Sequence, residues 1–313
     1  MDSSALVRAG SATPAGPDWT VVDYGLEAAR AVLAEAGLGD DAVEATALAG
    51  GAVNTVWQVS RAGGPDLVVK ATAGAPAGLY AAEADGLAVL RERGGLRTPD
   101  LFGVGPRWLV LEALRPYAEA PAFWAAAGRA IASLHGVRGQ RFGWQDDGWL
   151  GLLPQVNTWC DDGHEFFAVH RLLRYLREPA AEAGLDRAGR TAVERLCARL
   201  PELVPPMPPV LTHGDLWRCN VVATPDGLPA FIDPAVSWTW AEVDLSMMYC
   251  AGGPPVLGRF FEAYQDLRPL QPGWRDRMPV LHLRELLSDL AHHGTRSSCL
   301  AAIDQVIRPF RQR

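Results

Sequence analysis

The 313-residue chain is long enough to bury a large core in one or two domains, and its 49% apolar and 21% charged residues are those of an ordinary globular protein. A formal net charge of −7 argues against a broad nucleic-acid surface, which needs clustered cations. No apolar run reaches the ~20 residues of a membrane-spanning helix, and Cys160, Cys197, Cys219, Cys250 and Cys299 lack zinc-ligand spacing.

Residues 1–20 have neither an apolar stretch nor a dense basic flank, so they read as a flexible tail on a cytoplasmic protein rather than a signal peptide. A helix is expected over 22–37, where apolar residues recur at helical spacing and Gly37 closes the run. Two strand-like runs follow, 50–59 and 66–70, and the turn Ala62-Gly63-Gly64-Pro65 between them predicts a hairpin. A helix over 79–94 carries Glu83, and strands are expected over 101–104 and 108–112. This order predicts a sheet-rich lobe over 21–114.

Residues 115–313 turn helical, with helices expected over 123–135, 165–183, 187–200, 243–250, 257–267, 278–293 and 298–313. Two short strands, 221–223 and 230–232, flank the turn Thr224-Pro225-Asp226-Gly227. The connection between the lobes is expected near 113–117.

One compositional feature is sharper than the rest. Of the 29 basic residues, only Lys70 is lysine. Lys70 is either a remnant of a coding bias toward arginine or a position where a compact ammonium does what a guanidinium cannot, such as contacting phosphate oxygens as a point charge.

The segment 211–233 carries the clearest chemistry. A polar loop, His213-Gly214-Asp215-Leu216-Trp217-Arg218-Cys219-Asn220, lies between apolar runs, and the next apolar strand ends in Asp233. Phosphoryl transfer needs a carboxylate to accept a hydroxyl proton and oxygen ligands to hold magnesium on the phosphates. Asp215 suits the base, and Asn220 and Asp233 suit the metal. Any one of these residues alone would be a turn or cap residue; the joint spacing is what carries the reading.

This loop, with Ile232-Asp233-Pro234-Ala235, resembles the fructosamine kinase (ketosamine 3-kinase) family, within the aminoglycoside phosphotransferase-like and protein kinase-like fold. Trp217 after Asp215-Leu216 is similar to that branch in particular. The likeness extends to Gly50-Gly51 with Asn54, to Val68-Val69-Lys70, and to Ala82-Glu83-Ala84-Asp85-Gly86-Leu87. Phe142-Gly143-Trp144, Pro154-Gln155, Asn157, Glu165-Phe166-Phe167 and Glu242-Val243-Asp244-Leu245 continue it, so that it covers roughly 20–295.

The resemblance implies an α+β, two-lobed kinase with a small antiparallel-sheet N-lobe and a mostly helical C-lobe, using ATP and Mg2+. Gly50, Gly51, Asn54 and Thr55 would belong to the loop over the triphosphate, and Lys70 would contact phosphates while paired with Glu83. Glu112 to Leu114 would be the hinge for adenine, and His213 a brace of the catalytic loop. Asp244 would bond either that loop or the substrate. Its partner would be a small molecule bearing a sugar-like hydroxyl, with no nucleic acid or membrane involved; the oligomeric state stays open.

Departures from the family pattern fall on the acceptor side. Arg218-Cys219 replaces small residues before Asn220, Val236-Ser237-Trp238 replaces an aromatic pair, and Gly148-Trp149-Leu150-Gly151 replaces an Asn-Tyr-Ile-Gly segment. Arg218 could bind a substrate carboxylate or face solvent. Trp108, Trp124 and Trp274 read as core, whereas Trp144, Trp149, Trp159, Trp217, Trp238 and Trp240 could stack on an acceptor or pack inside. Two functions therefore follow, repair of glycated amines or phosphorylation of an antibiotic or other secondary metabolite. A catalytically dead scaffold is disfavoured by the joint presence of Lys70, Glu83, Asp215, Asn220 and Asp233.

Overall fold

The computed structural model describes residues 25–39, 41–48, 55–117, 119–251, 257–296 and 298–311. The expected phosphate-loop residues Gly50, Gly51 and Asn54, and the start of the first expected helix, lie outside the described residues.

Strands β1 (Ala42–Ala47), β2 (Thr55–Arg61), β3 (Leu67–Ala71), β4 (Leu101–Gly105) and β5 (Trp108–Glu112) form an antiparallel sheet in the order β1-β2-β3-β5-β4. Helix α1 (Gly25–Glu35) and helix α2 (Leu79–Glu92) cover its two faces. The two-residue period of β3 divides its side chains between them. Leu67, Val69 and Ala71 join Trp57, Val59, Trp108 and Val110 under Ala29, Val32 and Leu33 of α1. Lys70 points the other way, to the face where Leu109 and Leu111 pack on Leu79, Tyr80, Ala84 and Leu87 of α2. The alternation that makes β3 a strand thus turns the lone lysine toward the helix that carries Glu83. Strand β1 was not expected: only Ala42 of AVEATA is buried, so this edge strand has no apolar alternation to read.

The linker runs from Ala113 to Tyr117 and is stitched to the second lobe, where Arg115 N donates to Ala223 O and Ala223 N to Arg115 O, each at 2.8 Å. In that lobe α3 (Pro121–Leu134) lies against α9 (Leu257–Leu267) so closely that a Cβ on Gly128 would come within 2.2 Å of Phe260 O. Helices α8 (Ala241–Cys250) and α10 (Trp274–His293) form the second packed pair, and Trp124, Phe166, Phe167, Trp240, Phe260 and Leu287 fill the core between these elements.

The single helix expected over 165–183 is broken. It becomes α4 (Gly163–Phe166), a π-helical stretch Phe167–Leu173, a 3-10 turn Tyr175–Arg177 and α5 (Pro179–Gly184). Glu178, preceding Pro179, adopts extended backbone with ψ 133°, as the proline ring requires. Helix α6 (Arg187–Ala198) starts on the Asp186 carboxylate, which accepts from Gly189 N at 2.6 Å. The remaining helices are α7 (Leu200–Leu203) and α11 (Leu300–Ile307), the latter shorter than the expected 298–313 and followed by a 3-10 turn at Pro309.

Three short ribbons complete the lobe and frame the cleft: β6 (Gly148–Leu150) with β7 (Leu153–Gln155), β8 (Val210–Thr212) with β11 (Ser237–Thr239), and β9 (Val221–Ala223) with β10 (Pro229–Phe231). Among the described residues no helix is long and apolar enough to cross a membrane.

Candidate active site

The loop between β8 and β9 is fixed chiefly through its backbone. Gly214 sits at φ 84°, and a Cβ there would lie 1.9 Å from Ala235 O, so only glycine fits. Ala235 N in turn donates to His213 O at 2.8 Å. From α8, the buried Asp244 carboxylate accepts His213 N at 2.7 Å, Gly214 N at 2.8 Å and His135 Nε2 at 3.2 Å. His135 Nδ1 lies 2.9 Å from the Tyr264 hydroxyl, so with Nε2 bearing the proton the tyrosine donates to Nδ1. Burial would raise the Asp244 pKa, but the His135 hydrogen bond and the Gly214 N–H hold it below the ordinary range. Asp244 therefore braces the loop, and the alternative of a substrate contact is corrected: its side chain is fully buried beneath the loop and every bond given above runs to protein.

Asn220, at the far end of the loop, donates from Nδ2 to Asp215 Oδ2 and to Asp215 O, both at 2.8 Å. The amide N–H groups thereby fix the carboxylate and leave Asn220 Oδ1 without a partner among the described residues. Burial and the nearby Glu285 charge push the Asp215 carboxyl well above the ordinary carboxylate range, against the opposing pull of Arg284 and Asn220.

Asp233 follows β10 in left-handed backbone at φ 56°, the one non-glycine residue with positive φ among those described. Its Oδ1 pairs with Lys70 Nζ, which also donates to Glu83 Oε1 at 2.6 Å. Burial would lower the Lys70 pKa, yet the charges of Asp233 and Glu83 outweigh it and raise the value. Burial and the Asp233 charge lift Glu83 to about 7 against the attraction of Lys70. Asp233, although burial opposes it, is held low by Lys70. Lys70 is 5% exposed, whereas the Asp233 side chain is 42% exposed toward the cleft.

A cleft of about 460 Å³ joins these groups. Glu83, Asp215, Asn220 and Asp233 line one part, and Trp144, Trp149 and Trp217 line another. Trp149, on β6, also packs against the α2 cluster of the first lobe. The other tryptophans read as possible acceptor contacts lie elsewhere. All three residues of β11 are buried, which puts Trp238 against Trp144 and under the Arg93 guanidinium, 5.0 Å from its ring. Trp240 is in the core beside Phe142 and Phe167, and Trp159 is exposed away from the cleft. Arg218 turns to the linker, where Nη1 donates to the Tyr117 hydroxyl at 3.2 Å, and is also removed from the acceptor set.

At the hinge, the Glu112 carboxylate is taken by Arg97 at 2.6 Å and by Asp100 N at 3.1 Å, and Glu112 N donates to Asp100 O at 2.8 Å. Ala113 N donates to Asp66 O and Arg115 N to Ala223 O, while Leu114 N finds no partner among the described residues. Thr55 opens β2 as an exposed residue paired with Ala71. Sequence reasoning gave no role to His135, Tyr264, Arg171 and Arg284; each falls in an expected helix, but the partners Asp244, Ser237, Gly214 and Gln155 stand 66 or more residues away along the chain.

A family model for fructosamine kinase matches residues 27–308. A "Probable ketoamine kinase" of Thermus thermophilus is 35% identical over 269 residues, 84% of this chain and 93% of the relative. One of Enterococcus faecium is 34% identical over 241 residues, 74% of this chain and 83% of the relative. Among solved structures, a Thermobifida fusca protein assigned to the fructosamine-3-kinases superposes with TM-score 0.77 at 32% identity, covering 89% of this chain and 98% of its own. A macrolide 2'-phosphotransferase from Brachybacterium faecium shares the fold, at TM-score 0.60 and 17% identity over 89% of this chain and 98% of its own. With the family's pattern spanning nearly the whole chain and its carboxylates, amide and lysine gathered around one cleft between two lobes, the chain belongs to the fructosamine kinase family and is an ATP-dependent phosphotransferase that acts on a hydroxyl group.

Proposed function

We propose that the enzyme phosphorylates a sugar hydroxyl of a ketosamine, the adduct of a sugar with an amine, with Mg2+ and ATP in the cleft beside Lys70. The observation that carries this reading is the pairing of a catalytic carboxylate fixed by Asn220 with an aromatic-walled cleft of a size suited to a small molecule. Asp215, oriented by the Asn220 amide, accepts the proton as the acceptor oxygen takes the γ-phosphoryl group and ADP departs. Lys70 holds phosphate oxygens, aimed by Glu83 and Asp233. Leu114 N–H and the Glu112 carbonyl bond the adenine edge. Trp149, Trp217 and Trp144 present faces to the acceptor.

The donor set fits magnesium. Asn220 Oδ1 and the Asp233 carboxylate are hard oxygen ligands, one neutral and one charged. When bound, the ion neutralises charge on the transferring phosphoryl group.

The test is a product assay with purified protein, Mg2+ and ATP over fructosyl-lysine, ribulosyl-lysine and a panel of aminoglycosides and macrolides. Mass spectrometry should find phosphate on the ketosamine sugar and none on the antibiotics. Phosphorylation of an antibiotic alone would replace this reading with the metabolite kinase.

A further inference from the structure

Two arginines are buried behind the catalytic loop, and neither touches the Lys70 or Asn220 sets. Arg284 of α10 is 1% exposed. Its Nη1 donates to Gly214 O at 2.7 Å and pairs with Glu285, while Nη2 donates to Gln155 Oε1 at 2.7 Å. Gln155, 2% exposed at the end of β7, passes the contact on: its Nε2 donates to Ala235 O at 2.9 Å. One guanidinium thus reaches the carbonyl just before Asp215 directly, and the carbonyl two residues after Asp233 through a single amide.

The second arginine anchors that amide. Arg171, on the π-helical stretch, donates to Val156 O at 2.6 Å and to Asn157 Oδ1 at 2.7 Å, which holds the chain immediately after Gln155. Burying a guanidinium is costly unless its donors are matched, and a forked, planar group is what can serve two carbonyl-type acceptors at once.

Gly214 explains why such a clamp is needed. The close approach of Ala235 O demands glycine, and glycine leaves the peptide joining Gly214 to Asp215 free to rotate. Rotation of that peptide would swing the Asp215 side chain. A donor fixed on Gly214 O removes the freedom that the glycine introduces.

We propose that Arg284, acting with Gln155, is a positioning residue that holds the Asp215 loop and the Asp233 strand end in one register; this rests on reading Asp215 as the base and Asp233 as a metal ligand. Arg284→Lys keeps the charge but replaces the two nitrogens that serve Gly214 O and Gln155 Oε1 with one shorter point donor, and Gln155→Met keeps the volume but breaks the link to Ala235. Misplacement of reacting groups by a fraction of an ångström should lower kcat by about 10- to 100-fold in Arg284→Lys and by about 10-fold in Gln155→Met. In Arg284→Lys, KM for ATP and for the ketosamine should stay within about threefold, because Arg284 does not line the cleft; Gln155 does, so Gln155→Met is read on kcat alone. The double variant should be no slower than Arg284→Lys alone, since both changes cut one relay.

Turnover is referred to the folded fraction, measured by thermal melting of each variant. A kcat within twofold of wild type in Arg284→Lys, or a double variant whose loss is the product of the two single losses, overturns the relay. Should Arg284→Lys fail to fold, Gln155→Met decides by kcat, and a value within twofold of wild type overturns the relay. Asp215→Asn is run in parallel: if it turns over at the wild-type rate, the reading of the site itself fails, whatever Arg284 does.

Discussion

Two buried ion clusters in this molecule differ in how their charges close. Between α8 and α10, Arg277 grips Glu242 with both arms of its fork, Nε to Oε2 at 2.5 Å and Nη2 to Oε1 at 2.6 Å, and both side chains are almost wholly buried. One cation meets one anion, and Arg277 Nη1 goes to Pro272 O at 3.1 Å. Around Lys70, one ammonium faces two carboxylates, and the second of them opens onto the cleft. The first cluster is neutral and complete. The second carries an excess negative charge directed where a metal–phosphate complex is read to sit. Incomplete closure, more than burial, separates a site from a strut.

Removing the open charge should have the largest effect. Asp233→Ala takes away the charged metal ligand and should abolish Mg2+-dependent nucleotide binding in titration calorimetry, with turnover falling by roughly 10²–10⁴. The Lys70–Glu83 pair that remains would then resemble the closed cluster. Unchanged metal–nucleotide affinity would show that the excess charge at Asp233 has no ligand to meet.

The converse break comes next. Glu242→Gln leaves Arg277 buried beside a neutral amide, and breaking a buried pair by removing one partner costs about 3–5 kcal/mol. Urea unfolding should record that loss, while kcat per folded molecule changes less than about twofold. A fall in kcat with stability intact would make this cluster part of the site and erase the distinction.

Lys70→Arg sharpens the comparison from the other side. The net charge is preserved, but a guanidinium cannot sit at one point between Glu83, Asp233 and phosphate oxygens without displacing one of them. Turnover or nucleotide KM should worsen by about 30- to 100-fold with little change in ligand-free melting. Wild-type kinetics would leave the lone lysine as a coding remnant.

These clusters also mark what the sequence could disclose. Lys70 sits in a short apolar strand after a turn, Glu83 in a periodic helix, and Asp215 and Asn220 five residues apart on one loop, so local pattern exposes them before any tertiary contact is known. Arg284 and Gly214 are 70 residues apart, and Arg277 and Glu242 35, with no shared period to announce the pairing. Trp238 illustrates the same limit: a three-residue strand is too short for alternation to say which face is buried. The break in 165–183 was legible at Pro179, whose ring restricts Glu178, whereas the exposed edge strand β1 offered no apolar pattern at all.

The smallest effect concerns the titration of α10 itself. His282 stands two residues before Arg284, half-buried, with a buried Nδ1 that finds no partner among the described residues. Burial, followed by the Arg284 charge, presses its pKa down to about 4. An unfolded histidine titrates near 6.5. Between these values the unfolded chain takes up a proton that the folded chain refuses, so stability is whole above about pH 6.5 and declines as pH falls toward 4. The loss should be on the order of 2 kcal/mol at pH 5. Glu83, whose raised pKa acts in the opposite sense, contributes equally to wild type and variant and cancels in their difference. Urea unfolding of wild type and His282→Leu at pH 8 and pH 5 isolates the term: the variant should gain on wild type by that amount on going to pH 5. A difference that does not move with pH would mean that the imidazole protonates freely in the folded chain, and that the charge of Arg284 beside it is already answered by Glu285.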